Sequence, residues 1–111
     1  MTKGSTMAKF LLAYHGGSMP ESPEESARVM EAWGAWYTAL GAAVLDPGNP
    51  IGAAMTIATD GSVSAGGGAN PVSGYTLIEA ESMAAAVAAA QRNPLLSSGG
   101  SIEVAETFEM G

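Results

Sequence analysis

Ala8-Lys9-Phe10-Leu11-Leu12-Ala13-Tyr14-His15 is the stretch on which the fold turns. It is short, Gly16-Gly17 ends it, and its composition reads as one β-strand. Side chains alternate along an extended backbone, so Phe10, Leu12 and Tyr14 share one face and Leu11, Ala13 and His15 the other. Both sets are largely apolar, the pattern of a strand covered on two sides. In a chain this short, helices reach one side. A second copy is the expected cover for the other, which predicts a homodimer.

Downstream, Ser22-Pro23-Glu24-Glu25 combines an N-cap hydroxyl, a proline at the first helical position and a glutamate three residues after the cap. Met30, Trp33, Tyr37 and Leu40 follow at helical spacing, and Gly41 fits the stop. Residues 42–46 read as a short strand, closed by Asp46-Pro47-Gly48-Asn49-Pro50. Residues 55–59 and 62–65 flank Asp60-Gly61, a strong hairpin signal. A strand over 75–80 and an alanine-rich helix over 83–92, capped by Ser82 and ended at Asn93-Pro94, come next. The last strand spans 101–106, with Ile102 and Val104 inward. The order predicts an α+β, ferredoxin-like split βαβ with an inserted β-hairpin: an antiparallel sheet with two helices on one face. The bare face predicts sheet-to-sheet dimerisation of the α/β-barrel type.

Composition narrows the function classes. The 111 residues make one small domain, with 47% hydrophobic residues available for a core. We read 1–7 as an extension, 8–107 as the domain and 108–111 as a tail. A net charge of −7 repels phosphate backbones and anionic membranes, so neither nucleic acid nor a membrane is an expected partner. The absence of Cys removes disulfides, thiolate metal sites and cysteine catalysis, and a lone His removes a multi-histidine cage. With no secretory or membrane-spanning pattern, the expected compartment is the cytoplasm.

The opening Ala8-Lys9-Phe10-Leu11-Leu12-Ala13-Tyr14 resembles members of the YCII-related domain family, including the branch named for a DGPF motif. So do the Ser-Pro-Glu-Glu helix start, Gly41-Ala42-Ala43-Val44-Leu45 and Ser73-Gly74-Tyr75-Thr76-Leu77-Ile78-Glu79-Ala80. Asn93-Pro94-Leu95 and Gly99-Gly100-Ser101-Ile102-Glu103-Val104 complete a likeness running from about Ala8 to Glu106. It implies the dimeric ferredoxin-like fold, in a family some of whose relatives resemble enzymes acting on small aromatic or lactone-like compounds. Ala65-Gly66-Gly67-Gly68 stands where the naming motif would fall. The His of the first helix and the pre-proline Asp associated with the YCII branch are missing too: that helix has no His, and Asn93 precedes Pro94.

In a split βαβ the first and second core strands run parallel, so His15 and the Asp46–Pro50 turn are expected at one edge. A His beside a carboxylate titrates near neutrality and moves protons. On this reading His15 is a general base, Asp46 orients it, and Asn49 binds a ligand oxygen. Asn93, at the end of the second helix, and Trp36, beside the sheet, are further candidate ligand contacts. Each has a plainer alternative. His15 is then a hydrogen-bonded strand-end residue, Asp46 and Asn49 are turn formers, and Trp33, Trp36 and Tyr37 are core. His15 and Asp46 together fall short of a metal site. Two functions follow: a cofactor-independent lyase or isomerase with its pocket near the dimer interface, or a non-catalytic module holding a small ligand there.

Overall fold

The computed structural model describes residues 7–109; positions 1–6 of the expected extension and the final two positions of the tail lie outside the described residues. The strand read first is the centre of the sheet. Ala8–His15 (β1) pairs antiparallel with Val72–Ala80 (β5) on one side and Ser101–Thr107 (β6) on the other. Val44–Asp46 (β2) adds to the far edge of β5, giving the order β2-β5-β1-β6. β1 and β2 both run antiparallel to β5 and therefore parallel to each other, as a split βαβ requires. The sheet is open at both ends of this order.

Register decides what is buried. Phe10 sits opposite Ile78 and Leu12 opposite Thr76, so one face carries Phe10, Leu12, Tyr14, Thr76, Ile78 and Ala80. Against it lie Pro23–Leu40 (α1) and Met83–Ala90 (α2), contributing Trp36, Ala86, Ala89 and Ala90. α1 starts as its sequence dictates: Ser22 Oγ accepts from the Glu25 N–H at 3.1 Å, while the Glu25 carboxylate accepts from the Glu21 N–H. α2 owes its position to small side chains, since with Ala86 fully buried the backbone lies close to the sheet. Trp36 Nε1 donates to the Ala89 carbonyl at 2.9 Å and ties the two helices together.

Several boundaries differ from the sequence expectation for local reasons. Gly41–Ala43 forms a 3₁₀ turn, leaving β2 three residues long. β5 begins at Val72 because pairing with β1 continues past an irregularity at Tyr14/His15. β6 runs one residue further than read, to Thr107, which pairs with Lys9. α2 stops at Ala90, since Asn93 takes an extended conformation (ψ 136°) ahead of Pro94. Asn93 Oδ1 then accepts from the Leu95 N–H and caps the 3₁₀ turn Pro94–Ser98.

The second face of the sheet carries Leu11, Tyr75, Leu77 and Ala105, all half-buried, with Ala13 and His15 buried towards one end, and no helix covers it. Beyond it projects an arm. Met55–Ile57 (β3) and Val63–Ala65 (β4) pair only with each other, and their apolar residues Met55, Ile57 and Val63 are 58–70% exposed. The molecule is accordingly broad and thin, 49 × 46 × 18 Å, with a radius of gyration of 16.1 Å. A compact domain of this length has about 13 Å.

One glycine is indispensable to this arrangement. Gly48 has φ +75°, and a Cβ there would lie 1.7 Å from the Tyr75 carbonyl oxygen. Gly48→Ala should therefore cost at least about 3 kcal/mol. Gly34, inside α1 with nothing within 4 Å of its missing Cβ, is the control. Gly34→Ala should stabilise by about 0.5–1 kcal/mol. Urea unfolding midpoints of both variants test the pair; a tolerated Gly48→Ala would refute the close packing of the turn on β5.

Candidate functional site

The Asp46–Pro50 turn crosses the end of α1 and the edge of β5, and polar groups converge beneath it. Asp46 Oδ1 accepts from the Gly48 N–H at 2.9 Å, which shapes the turn and aims the Pro47 carbonyl inward. That oxygen accepts from Tyr37 Oη at 3.1 Å and from Thr76 Oγ1 at 3.0 Å. Thr76 Oγ1 in turn accepts from Tyr14 Oη at 2.6 Å, and Tyr14 Oη accepts from Asn93 Nδ2 at 3.3 Å. The result is a continuous chain from the end of α2, across β1 and β5, to the turn after β2 and back to α1. Thr76 is wholly buried, Asn93 is 3% exposed and Tyr14 5%. Among the described residues no buried side-chain nitrogen or oxygen lacks a partner.

Above this chain, between α1 and the sheet, opens a cleft of about 560 Å³. Tyr14, Trp33 and Tyr37 form its aromatic wall, with Trp33 5.4 Å from the Tyr14 ring and 5.9 Å from that of Tyr37. Val29, Leu95 and Met19 add apolar surface, and Pro47, Asn49, Pro50 and Ile51 form the rim. Gly16, Gly17, Gly48 and Gly74 bring bare backbone to the lining. No Asp, Glu, Lys, Arg or His side chain lines it. A second, wider groove of about 850 Å³ runs along the other flank of Trp33 and Leu95, between α1 and the 91–98 segment.

Burial pushes the Tyr14 phenol up to about 12, with its hydrogen bonds to Thr76 and Asn93 opposing the rise and the nearby Tyr37 adding to it. At neutral pH Tyr14 is therefore a neutral hydroxyl, held as a structural donor and acceptor.

The residues singled out from sequence fall in three places. Asn49 is exposed on the cleft rim, and its side chain has no hydrogen-bond partner among the described residues. Trp36 and Asn93 border the wider groove, both buried, with the Trp36 N–H donated to Ala89 and the Asn93 amide to Tyr14. His15 lies on the opposite face of the sheet, 8% exposed. Its Nδ1 is 3.1 Å from Asn70 O and 3.2 Å from Pro71 O, and its Nε2 is 3.3 Å from Glu103 Oε1. His15 and Asp46 are not brought together. Their partners on β5 are Val72 and Leu77, roughly 15 Å apart along a strand. What His15 holds instead is the returning root of the arm.

The sequence reading puts Tyr14 on one largely apolar face of a strand and Thr76 inside another strand, and takes core as the plainer alternative for Trp33 and Tyr37. The signal for more was a tyrosine and a threonine on the helix-facing side of two strands, where a hydroxyl needs a partner. Among the described residues no group of three or more His, Asp or Glu side chains is placed to hold a metal ion, and no helix is long and apolar enough to cross a membrane. No family model matches the chain, and no curated protein does.

The Tyr14 shift has a definite sign. Its folded value of about 12 lies above the ordinary 10.0, so the unfolded chain ionises first. This group's contribution to stability is intact below pH 10 and falls away as the pH rises through 12. Tyrosinate absorbance should show one late-ionising phenol that disappears in Tyr14→Phe, and that variant should lose less stability between these two pH values than the wild type. A Tyr14→Phe titration identical to the wild type would contradict the buried chain.

Proposed function

We propose that this chain is a small-ligand-binding module that works as a homodimer. The observation carrying the first half is the cleft: concave, mostly apolar, walled by Tyr14, Trp33 and Tyr37 and rimmed by Asn49, whose amide has no partner among the described residues. It holds no side chain suited to moving a proton at neutral pH. Tyr14 keeps its proton, Asp46 shapes a turn, and His15 is on the other side of the sheet. These placements favour holding a ligand over transforming one, and so favour the module over a lyase or isomerase.

The dimer half rests on the uncovered sheet face and on the arm. Met55, Ile57 and Val63 are exposed and Leu11, Tyr75 and Leu77 half-buried, and apolar surface of this kind suits an interface. A second copy seated on that face gives an isologous interface. It also steadies the cleft, because Pro50 and Ile51 belong both to the rim and to the root of the arm. The resemblance to the YCII-related family supports the same reading, since it implies a ferredoxin-like dimer.

Nuclear magnetic resonance with small aromatic fragments tests the ligand half. Binding fragments should shift the amides of Gly16, Gly17, Gly48 and Gly74 and remain chemically unchanged. Val29→Trp, which fills the cleft, should abolish those shifts without lowering the melting temperature by more than a few degrees. Fragments that map around His15, or a turnover abolished by His15→Ala, would overturn the reading. For the dimer, light scattering at micromolar concentration should give twice the 11.1 kDa of the chain; a stable monomer would refute it.

A further inference from the structure

We propose that the cleft selects a small aryl-alkyl ammonium ion and discriminates against carboxylates of the same shape. The inference rests on the ligand-binding reading above and adds the chemical class of the ligand.

The hydroxyl protons of four residues around the cleft are already committed. Tyr14 donates to Thr76, Tyr37 to the Pro47 carbonyl at 3.1 Å, Ser73 to the Gly16 carbonyl at 3.0 Å and Ser18 to the Ser98 carbonyl at 3.2 Å. A hydroxyl that has given its proton to a protein oxygen has only lone pairs left to offer. Tyr37, Ser73 and Ser18 therefore present acceptors to a guest. Asn49 adds its amide oxygen along with an N–H donor, and the Trp33 indole N–H is another side-chain donor without an acceptor among the described residues. A ligand group that brings several N–H donors meets these oxygens, while a carboxylate is offered no charged donor.

Charge points the same way. No Lys, Arg or His lines the cleft, so an anion entering it would shed water with no cation to meet it. The first turn of α1, whose dipole would welcome an anion, carries Glu24 and Glu25. The chain as a whole bears −7, and its field concentrates cations near the surface. The remaining requirement, a flat apolar body, follows from the wall of Tyr14, Trp33 and Tyr37, whose ring faces carry partial negative charge.

The test uses the intact wild-type chain and three probes at neutral pH: 2-phenylethylamine as its ammonium, 2-phenylethanol and phenylacetate. Amide shifts of the cleft glycines report occupancy. The ammonium should bind at least ten-fold more tightly than phenylacetate, with the alcohol between them. Ser73→Ala should weaken the ammonium several-fold and leave the alcohol less affected. Phenylacetate equal to or tighter than the ammonium overturns the proposed selectivity while leaving the ligand site standing, and so does an alcohol that matches the ammonium. No shift at the cleft glycines with any of the three overturns both the selectivity and the site.

Discussion

The Pro47 carbonyl ties α1 to β5 beneath the cleft. It accepts from Tyr37 on α1 and from Thr76 on β5, and through Thr76 and Tyr14 it is linked to Asn93 beyond α2. Polar groups buried among Phe10, Leu12 and Ile78 are tolerated only while each finds a partner. Losing one member leaves its neighbours unsatisfied at about 1–3 kcal/mol, whereas a slipped apolar contact costs less and allows more arrangements. The chain therefore fixes a register between helices, sheet and turn that the alanine-rich α2 is too featureless to specify.

That register is what leaves a cavity open. Tyr37 is held toward the turn, Tyr14 toward Thr76, and Trp33 packs against both rings. The aromatic wall is thus fixed from behind, with its hydroxyl protons turned away from the opening. Gly48 lets the turn lie directly on β5, where any side chain would collide with the Tyr75 carbonyl. Shape and hydrogen-bonding polarity of the cleft have the same cause. On the far side of the sheet His15 does separate work, anchoring the arm through Asn70, Pro71 and Glu103.

Much of the fold was legible because local signals agreed with one another. The two-faced β1, the Ser22 cap, the Asp60-Gly61 hairpin and the Asn93-Pro94 stop all fall where their chemistry puts them. The site was less so. Shared orientation of two parallel strands placed His15 and Asp46 at one edge, but alternation along β1 sends His15 to the opposite face from Tyr14, and β2 joins β5 opposite Leu77, well short of the end of β1. Asn49 was found because a turn after a short parallel strand is bound to reach the sheet edge. The roles of Tyr14, Thr76 and Tyr37 are not legible in the sequence, since nothing in their spacing shows that Tyr37 and Thr76 share one carbonyl and that Tyr14 bonds to Thr76. That meeting is tertiary.

The buried chain is most directly examined by a double-mutant cycle on its shortest link, Tyr14→Phe with Thr76→Val, followed by chemical denaturation. If the two hydroxyls act as one unit, the double variant should lose less than the sum of the single losses, with a coupling of about 1–2 kcal/mol. Strictly additive losses would mean that the two side chains stabilise the molecule independently, and the account of what holds the cleft open would fall with them.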